Sequence, residues 1–188
     1  MITNVEAVCP SCQRGDHECW ERWNPTRHDD RIFVCACSHV TSLPWVYDDG
    51  GRQDAGYKGQ TGDCVLRSIS IATQLSYQDV YDHINKMAQS ERITKRQRTK
   101  SSPRTGVRKN TCRKFMADLG WSWFPTMGIG TGTTVHLRDG ELPLGRLVVA
   151  VSKHYTAVID SVIHDTHDPS RDGNRAVYGY YYLEDTDG

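Results

Sequence analysis

The sequence has no excess of either charge, since 23 Lys and Arg balance 23 Asp and Glu. A chain so balanced does not bind DNA or a membrane through its overall field, and any such role has to be local. It also lacks any apolar run near the ~18 residues of a membrane helix. The N-terminus, MITNVEAVCP, has no basic stretch leading into an apolar one. These absences predict a soluble, cytoplasmic protein with no membrane partner. Cysteine is scarce over most of the chain: of seven, an odd number, five precede residue 40. That skew excludes a disulfide framework spread over the fold and fits reduced thiols. The 188 residues suffice for one ordinary domain with its own core plus a small appendage.

What is present begins with those five cysteines, in CPSCQRGDHECW and CACSH. Cys9 and Cys12 have the C-x2-C spacing at which a tight turn aims two thiolates at one tetrahedral zinc, and Cys35 with Cys37 can complete the set. Cys19, His17 and His39 are further candidates, so the four ligands are not fixed by the pattern. Segments this short and polar bury too little surface to order themselves, so a bound metal would supply their folding energy, as a structural zinc. The alternative is a disulfide or free thiols in an N-terminal arm. The expected organisation is a small zinc-ribbon-like module over 1–42, a linker over 43–56 rich in Gly and Asp, and a main domain over 57–188.

In the main domain, Val65, Leu66, Ile69 and Ala72 recur at helical spacing, predicting a helix over 64–75 with a buried stripe and Asp63 as N-cap. Cys64 then occupies the first turn, where free N–H groups and the positive end of the helix dipole favour a thiolate. A second helix is predicted from about Tyr77 to Glu91 behind Ser76 as N-cap, and a third from about Asn110 to Leu119. Between them, residues 93–114 hold nine Lys or Arg and no acid. This run reads either as a solvated loop or as a local patch for phosphate or an acidic surface. It contains no aromatic side chain for base stacking.

The last third is rich in β-branched and aromatic residues: WSWFPTM, TTVHL, GRLVVAVS, HYTAVID, VIHDTH and AVYGYYYL, separated by Gly, Pro, Asp and Ser. Helices followed by an antiparallel sheet define an α+β domain. A two-residue turn at Asp160 and Ser161 pairs Thr156 with Asp165 and His154 with His167. Asp165 is then diagonal to His154, a span that two side chains bridge. Asp168 points the other way.

Together these residues make a Cys, His, Asp order. A thiolate attacks a carbonyl, an imidazole moves the proton, and a carboxylate holds the ring. Gln60 and the Cys64 N–H are candidate donors to the developing oxyanion. At these residues the chain resembles the papain-like cysteine hydrolases, with a helix-borne Cys, a strand His and an Asp on the next strand. GDCVLRSIS and KHYTAVID resemble the nucleophile and histidine motifs of the ovarian-tumour (OTU) deubiquitinases. Over about residues 60 to 183 it is closer to small uncharacterised proteins of bacteriophages and actinobacteria with GDC before a helix and HxTAVIDxVIHDT near the end. The chain departs from the papain pattern in placing Gln60 four residues before the cysteine rather than six, and from the OTU pattern in having Thr61 where an aspartate stands.

The resemblance implies a papain-like domain, helices packed on a C-terminal antiparallel sheet. It implies a cysteine-dependent hydrolase of peptide or isopeptide bonds with Cys64 as nucleophile, His154 as base and acid, Asp165 as orienting group and Gln60 as oxyanion donor. It also points to a phage or mobile-element origin and a bacterial host cytoplasm. The partners expected are a protein or peptide substrate and, through the N-terminal module, a host protein, with nucleic acid at the basic segment as a weaker possibility. Two other readings stand beside it. One is an acyltransferase or transglutaminase-like enzyme using the same Cys/His pair. The other is a non-enzymatic module binding protein or nucleic acid.

Overall fold

A computed structural model describes residues 42–184 except Gln60, Arg96, Ile129 and Thr131. The expected zinc ligands Cys9, Cys12, Cys19, Cys35 and Cys37, with His17 and His39, lie outside the described residues, and so does Gln60.

Three helices and six strands make up the described α+β fold. Helix α1 (Cys64–Thr73) ends where Gln74 turns left-handed at φ 62°, and α2 (Tyr77–Gln89) starts behind Ser76, whose hydroxyl accepts the Asp79 N–H at 3.0 Å. Helix α3 is Lys109–Asp118. The expected stripe on α1 is too narrow a description, because every residue from Val65 to Ala72 is buried, Arg67, Ser68 and Ser70 included. The helix packs on the sheet on one side, against α2 on another, and on the turn after residue 48 on a third. At that turn Gly50 has φ +67° and a side chain there would stand 3.1 Å from the Arg67 carbonyl oxygen, so only glycine lets the turn close on the helix.

The strands are β1 (Trp45–Tyr47), β2 (Trp121–Pro125), β3 (Arg146–Val151), β4 (His154–Ile159), β5 (Val162–Asp165) and β6 (Val177–Leu183), in the sheet order β1-β5-β4-β3-β6-β2. All neighbours are antiparallel except β1 and β5. Alternation along the central strands feeds two cores. Val148 and Ala157 pack with Leu66, Ile69, Val80, Ile84, Phe115 and Met116 on the helical side. Leu147, Val149, Val158 and Ile163 pack with Leu43, Leu137 and Leu142 on the other. The β4–β5 turn is at Asp160 and Ser161, both with positive φ (46° and 64°), the twist a two-residue hairpin needs. Its register, with Val158 opposite Ile163 and Ala157 opposite His164, is the expected one.

Two expectations are corrected. Residues 43–56 do not form a linker: β1 extends the sheet beside β5, and Leu43 is 2% exposed. Burying such a leucine stabilises a fold by roughly 1.5–3 kcal/mol, more than a free linker would forgo. TTVHL is not a strand either. It makes only the bridge between His136 and Ala176, flanked by the Leu137 N–H to the Arg175 carbonyl and the Val177 N–H to the Val135 carbonyl, and the outward His136 N–H is taken by the Glu141 carboxylate.

Candidate active site

The geometry starts at the two ends of the β4–β5 hairpin and the start of α1. His154 is the first residue of β4, Asp165 the last of β5, and Cys64 the first of α1. The loop ahead of Cys64 is pinned by the Gly62 N–H to the Arg104 carbonyl at 2.8 Å, with the Thr61 hydroxyl donating to the same oxygen. Val158 and Ile163 share the side of their strands with His154 and Asp165, yet they point into the core away from α1. The sulfur therefore meets the imidazole around the end of the strands, not across a face of the sheet.

His154 Nε2 lies 2.7 Å from Asp165 Oδ2. The same imidazole and the Tyr155 backbone N–H stand beside the Cys64 sulfur and favour its thiolate. Asp165 is 3% exposed, and it additionally accepts the Thr166 N–H at 2.7 Å and pairs with Arg67 Nη2 at 3.2 Å. Arg67 Nη1 donates to Asp63, and the other Asp63 oxygen takes the Tyr77 hydroxyl at 2.8 Å and faces Arg52 Nε at 3.2 Å. Asp63 stands at the N-cap position but makes no side-chain cap, contrary to expectation. Its carboxylate is committed to the arginines and the tyrosine.

The result is a continuous polar chain from Tyr77 and Arg52 through Asp63, Arg67 and Asp165 to His154 and Cys64. Buried charges persist only when paired. Asp63 and Asp165 balance Arg52 and Arg67, which leaves Cys64 and His154 to match each other, and an ion pair of the two is the form their surroundings favour. The titration directions agree. Burial pushes the Cys64 thiol up, but the hydrogen bonds from His154 and Tyr155 and the charges of His154 and Arg67 outweigh it and hold the thiol below its ordinary value. Burial alone would lower His154, but its hydrogen bonds to Asp165 and Cys64 and the charges of both raise it to about 9. Burial disfavours the Asp165 carboxylate, and the hydrogen bond and charge of His154 hold it below the usual range. Cys112 is the contrast. Buried beside Tyr181, its thiol is pushed up to about 12, which makes it inert at neutral pH, as its place inside α3 leads one to expect.

Cys64 opens onto a cleft of about 710 Å³. One wall is Thr105, Gly106 and the first turns of α3, and the floor holds Trp123, Tyr155 and Tyr181. Trp121, by contrast, is 7% exposed and belongs to the core. A second cleft of about 670 Å³, bordered by Ser70, Gln74 and Arg146, does not include Cys64. His167 stands at the mouth of the first, its ring 5.0 Å from that of His154. The ligand atoms of His154, Asp165 and His167 lie within 4.8 Å of one another, a group that could hold a metal ion, although His154 and Asp165 already bond each other.

The basic run 93–114 is organised around one half-buried pair. Arg108 Nε lies 3.2 Å from Glu91, and its guanidinium also donates to the carbonyls of Arg92, Gln97 and Thr99. The signal for Arg67, which sequence reasoning passed over as a polar residue between apolar ones, was its place four residues after Asp63 inside a helix otherwise built for burial. Arg52 and Tyr77 gave no such sign. No family model matches the chain, and no curated protein and no solved structure matches it.

Proposed function

We propose that this protein is a cysteine-dependent hydrolase of peptide or isopeptide bonds. The observation that carries the reading is the contact series Cys64, His154, Asp165 at the mouth of an open cleft. In the first half-reaction the Cys64 thiolate attacks the carbonyl carbon. The C–O π pair moves to oxygen, where the Cys64 N–H is a donor: α1 has no side-chain cap, so its first N–H groups are free for an anion. The His154 imidazolium gives its proton to the amine nitrogen, the C–N bond breaks, and a thioester remains. In the second, neutral His154 takes a proton from water as the water oxygen attacks the thioester. The C–S bond breaks, the acid leaves, and thiolate and imidazolium are restored. Asp165 holds the ring through its bond to Nε2. Gln60 is a second oxyanion donor in this reading, on the strength of its sequence position. In this reading the N-terminal cysteines form a structural zinc module that recruits a partner, and the protein acts in a bacterial cytoplasm, which only its resemblance to phage proteins supports.

The test is alkylation followed by mass spectrometry. Iodoacetamide at near-neutral pH is expected to modify Cys64 ahead of Cys112, with the selectivity lost in His154→Ala. Peptide amides are expected to give free acids without added amine. Equal labelling of both thiols would overturn an activated nucleophile, and product formed only with an amine acceptor would make the enzyme a transferase.

A further inference from the structure

Three cations border the cleft without a carboxylate to meet them. Lys109 and Arg113 lie one turn apart on α3, and Lys153 sits in the β3–β4 turn directly before His154. All three are exposed, and none has an ion-pair partner among the described residues. No Asp or Glu side chain is among the described residues that line the cleft. Since the chain as a whole is neutral, this imbalance is a local segregation of charge. Lys153 adds a backbone sign. Its φ of 58° is left-handed, a conformation that side-chain-bearing residues rarely adopt, and it is held at the turn beside the imidazole. Elsewhere in the basic run Arg108 spends its charge on Glu91, so the run divides into a structural part and a part turned to the cleft. The floor between these cations is aromatic, with the rings of Trp123 and Tyr181 4.7 Å apart.

A cleft with positive walls and an aromatic floor fits a chain whose side chains are carboxylates and whose backbone and methylenes rest on rings. Resting on the hydrolase reading, we propose that the cleft selects an acidic peptide, with Asp or Glu on the residues flanking the bond that Cys64 attacks. A peptide is favoured over a nucleic acid because the nucleophile at the cleft needs an acyl carbon, and since an aromatic floor between cations also suits single-stranded bases, an oligonucleotide is the competing occupant in the test.

Binding is measured on the full chain carrying Cys64→Ala, by anisotropy of labelled peptides alike except for Glu or Lys at the flanking positions. At about 50 mM salt, where exposed charges are weakly screened, the Glu peptide should bind at least about tenfold tighter, a ratio that three such pairs can supply. The ratio should shrink with added salt, and it should vanish when Lys109, Arg113 and Lys153 are all replaced by Gln, with a Glu triple as a second set. Equal binding of the two peptides, with Cys64 still selectively alkylated in the native chain, would overturn the acidic preference and leave the hydrolase standing. Tighter binding of a single-stranded oligonucleotide of equal charge would also overturn it. Preserved Glu selectivity in a chain whose Cys64 is not selectively alkylated would support the acidic cleft and remove the hydrolase.

Discussion

At the scale of single residues, Asp165 decides most. It accepts from His154, Arg67 and the Thr166 N–H at once, so a deeply buried carboxylate stays ionised and fixes the ring. The pH profile follows. Activity per kcat/KM should rise with pH as the Cys64 thiol, held below its ordinary value, ionises, and should fall as His154 loses its proton near pH 9. Asp165→Asn removes the partner that raises His154 most, so in the folded fraction of that variant the alkaline limb should move to lower pH. An unmoved limb would mean that another group titrates there. Stability follows the same groups with signs that can be stated. His154 is raised on folding, so its contribution is whole below about pH 6.5 and is lost as pH rises through about 9. Asp165 is lowered, so its contribution is present above the ordinary carboxylate range and is lost as pH falls through the lowered value. Melting temperatures should accordingly decline on both sides of a plateau. Cys64, His154 and Asp165 were legible in the sequence because helix starts and two-residue turns are local. Arg67 was not, because pairing Asp63 with Asp165 depends on a contact between residues 98 apart in sequence.

At the scale of elements, one glycine holds up the cleft floor. Gly179 in β6 has φ +154°, and a side chain there would come within 2.3 Å of Trp123 Cζ2 and 2.6 Å of the Phe124 carbonyl oxygen. The Trp123 ring lies across the strand only because that position is bare. Gly179→Ala should therefore cost about 1–3 kcal/mol in urea unfolding, the usual range for overpacking, and should weaken peptide binding through displacement of the indole. A variant as stable as the native chain with the native affinity would show that Trp123 is not seated by Gly179. Strand existence was readable from β-branched and aromatic runs, and β3 to β6 fall where those runs lie. The failures were at short pieces. β1 has only three residues and follows no alternation, so its pairing with β5 is fixed by tertiary contact that a pattern cannot register. TTVHL had the composition of a strand, but its pairing stops at the single bridge to Ala176.

At the scale of the whole molecule, neutrality conceals two separate devices. Of the cations that could make the protein a general polyanion binder, Arg108 serves a fold-building hub while Lys109, Arg113 and Lys153 border the cleft, and no helix among the described residues is long and apolar enough to cross a membrane. The metal question is likewise one of two places, the N-terminal cysteines of the sequence and the His154, Asp165, His167 group beside the nucleophile. The chemistry tells them apart. Thiolates at C-x2-C spacing would bind zinc for structure, whereas an ion on His154 and Asp165 would take the imidazole out of its service to Cys64. If the proposed assignment holds, the purified chain should carry about one zinc by elemental analysis, Cys9→Ser with Cys12→Ser should remove it, and the rate at which iodoacetamide modifies Cys64 should stay within about twofold, since a structural zinc takes no part in the Cys64, His154, Asp165 group. Zinc that survives the double substitution and disappears in His167→Ala would move the metal to the active site. Cys64 alkylation that then accelerates on chelation would make that ion an inhibitor competing for the histidine.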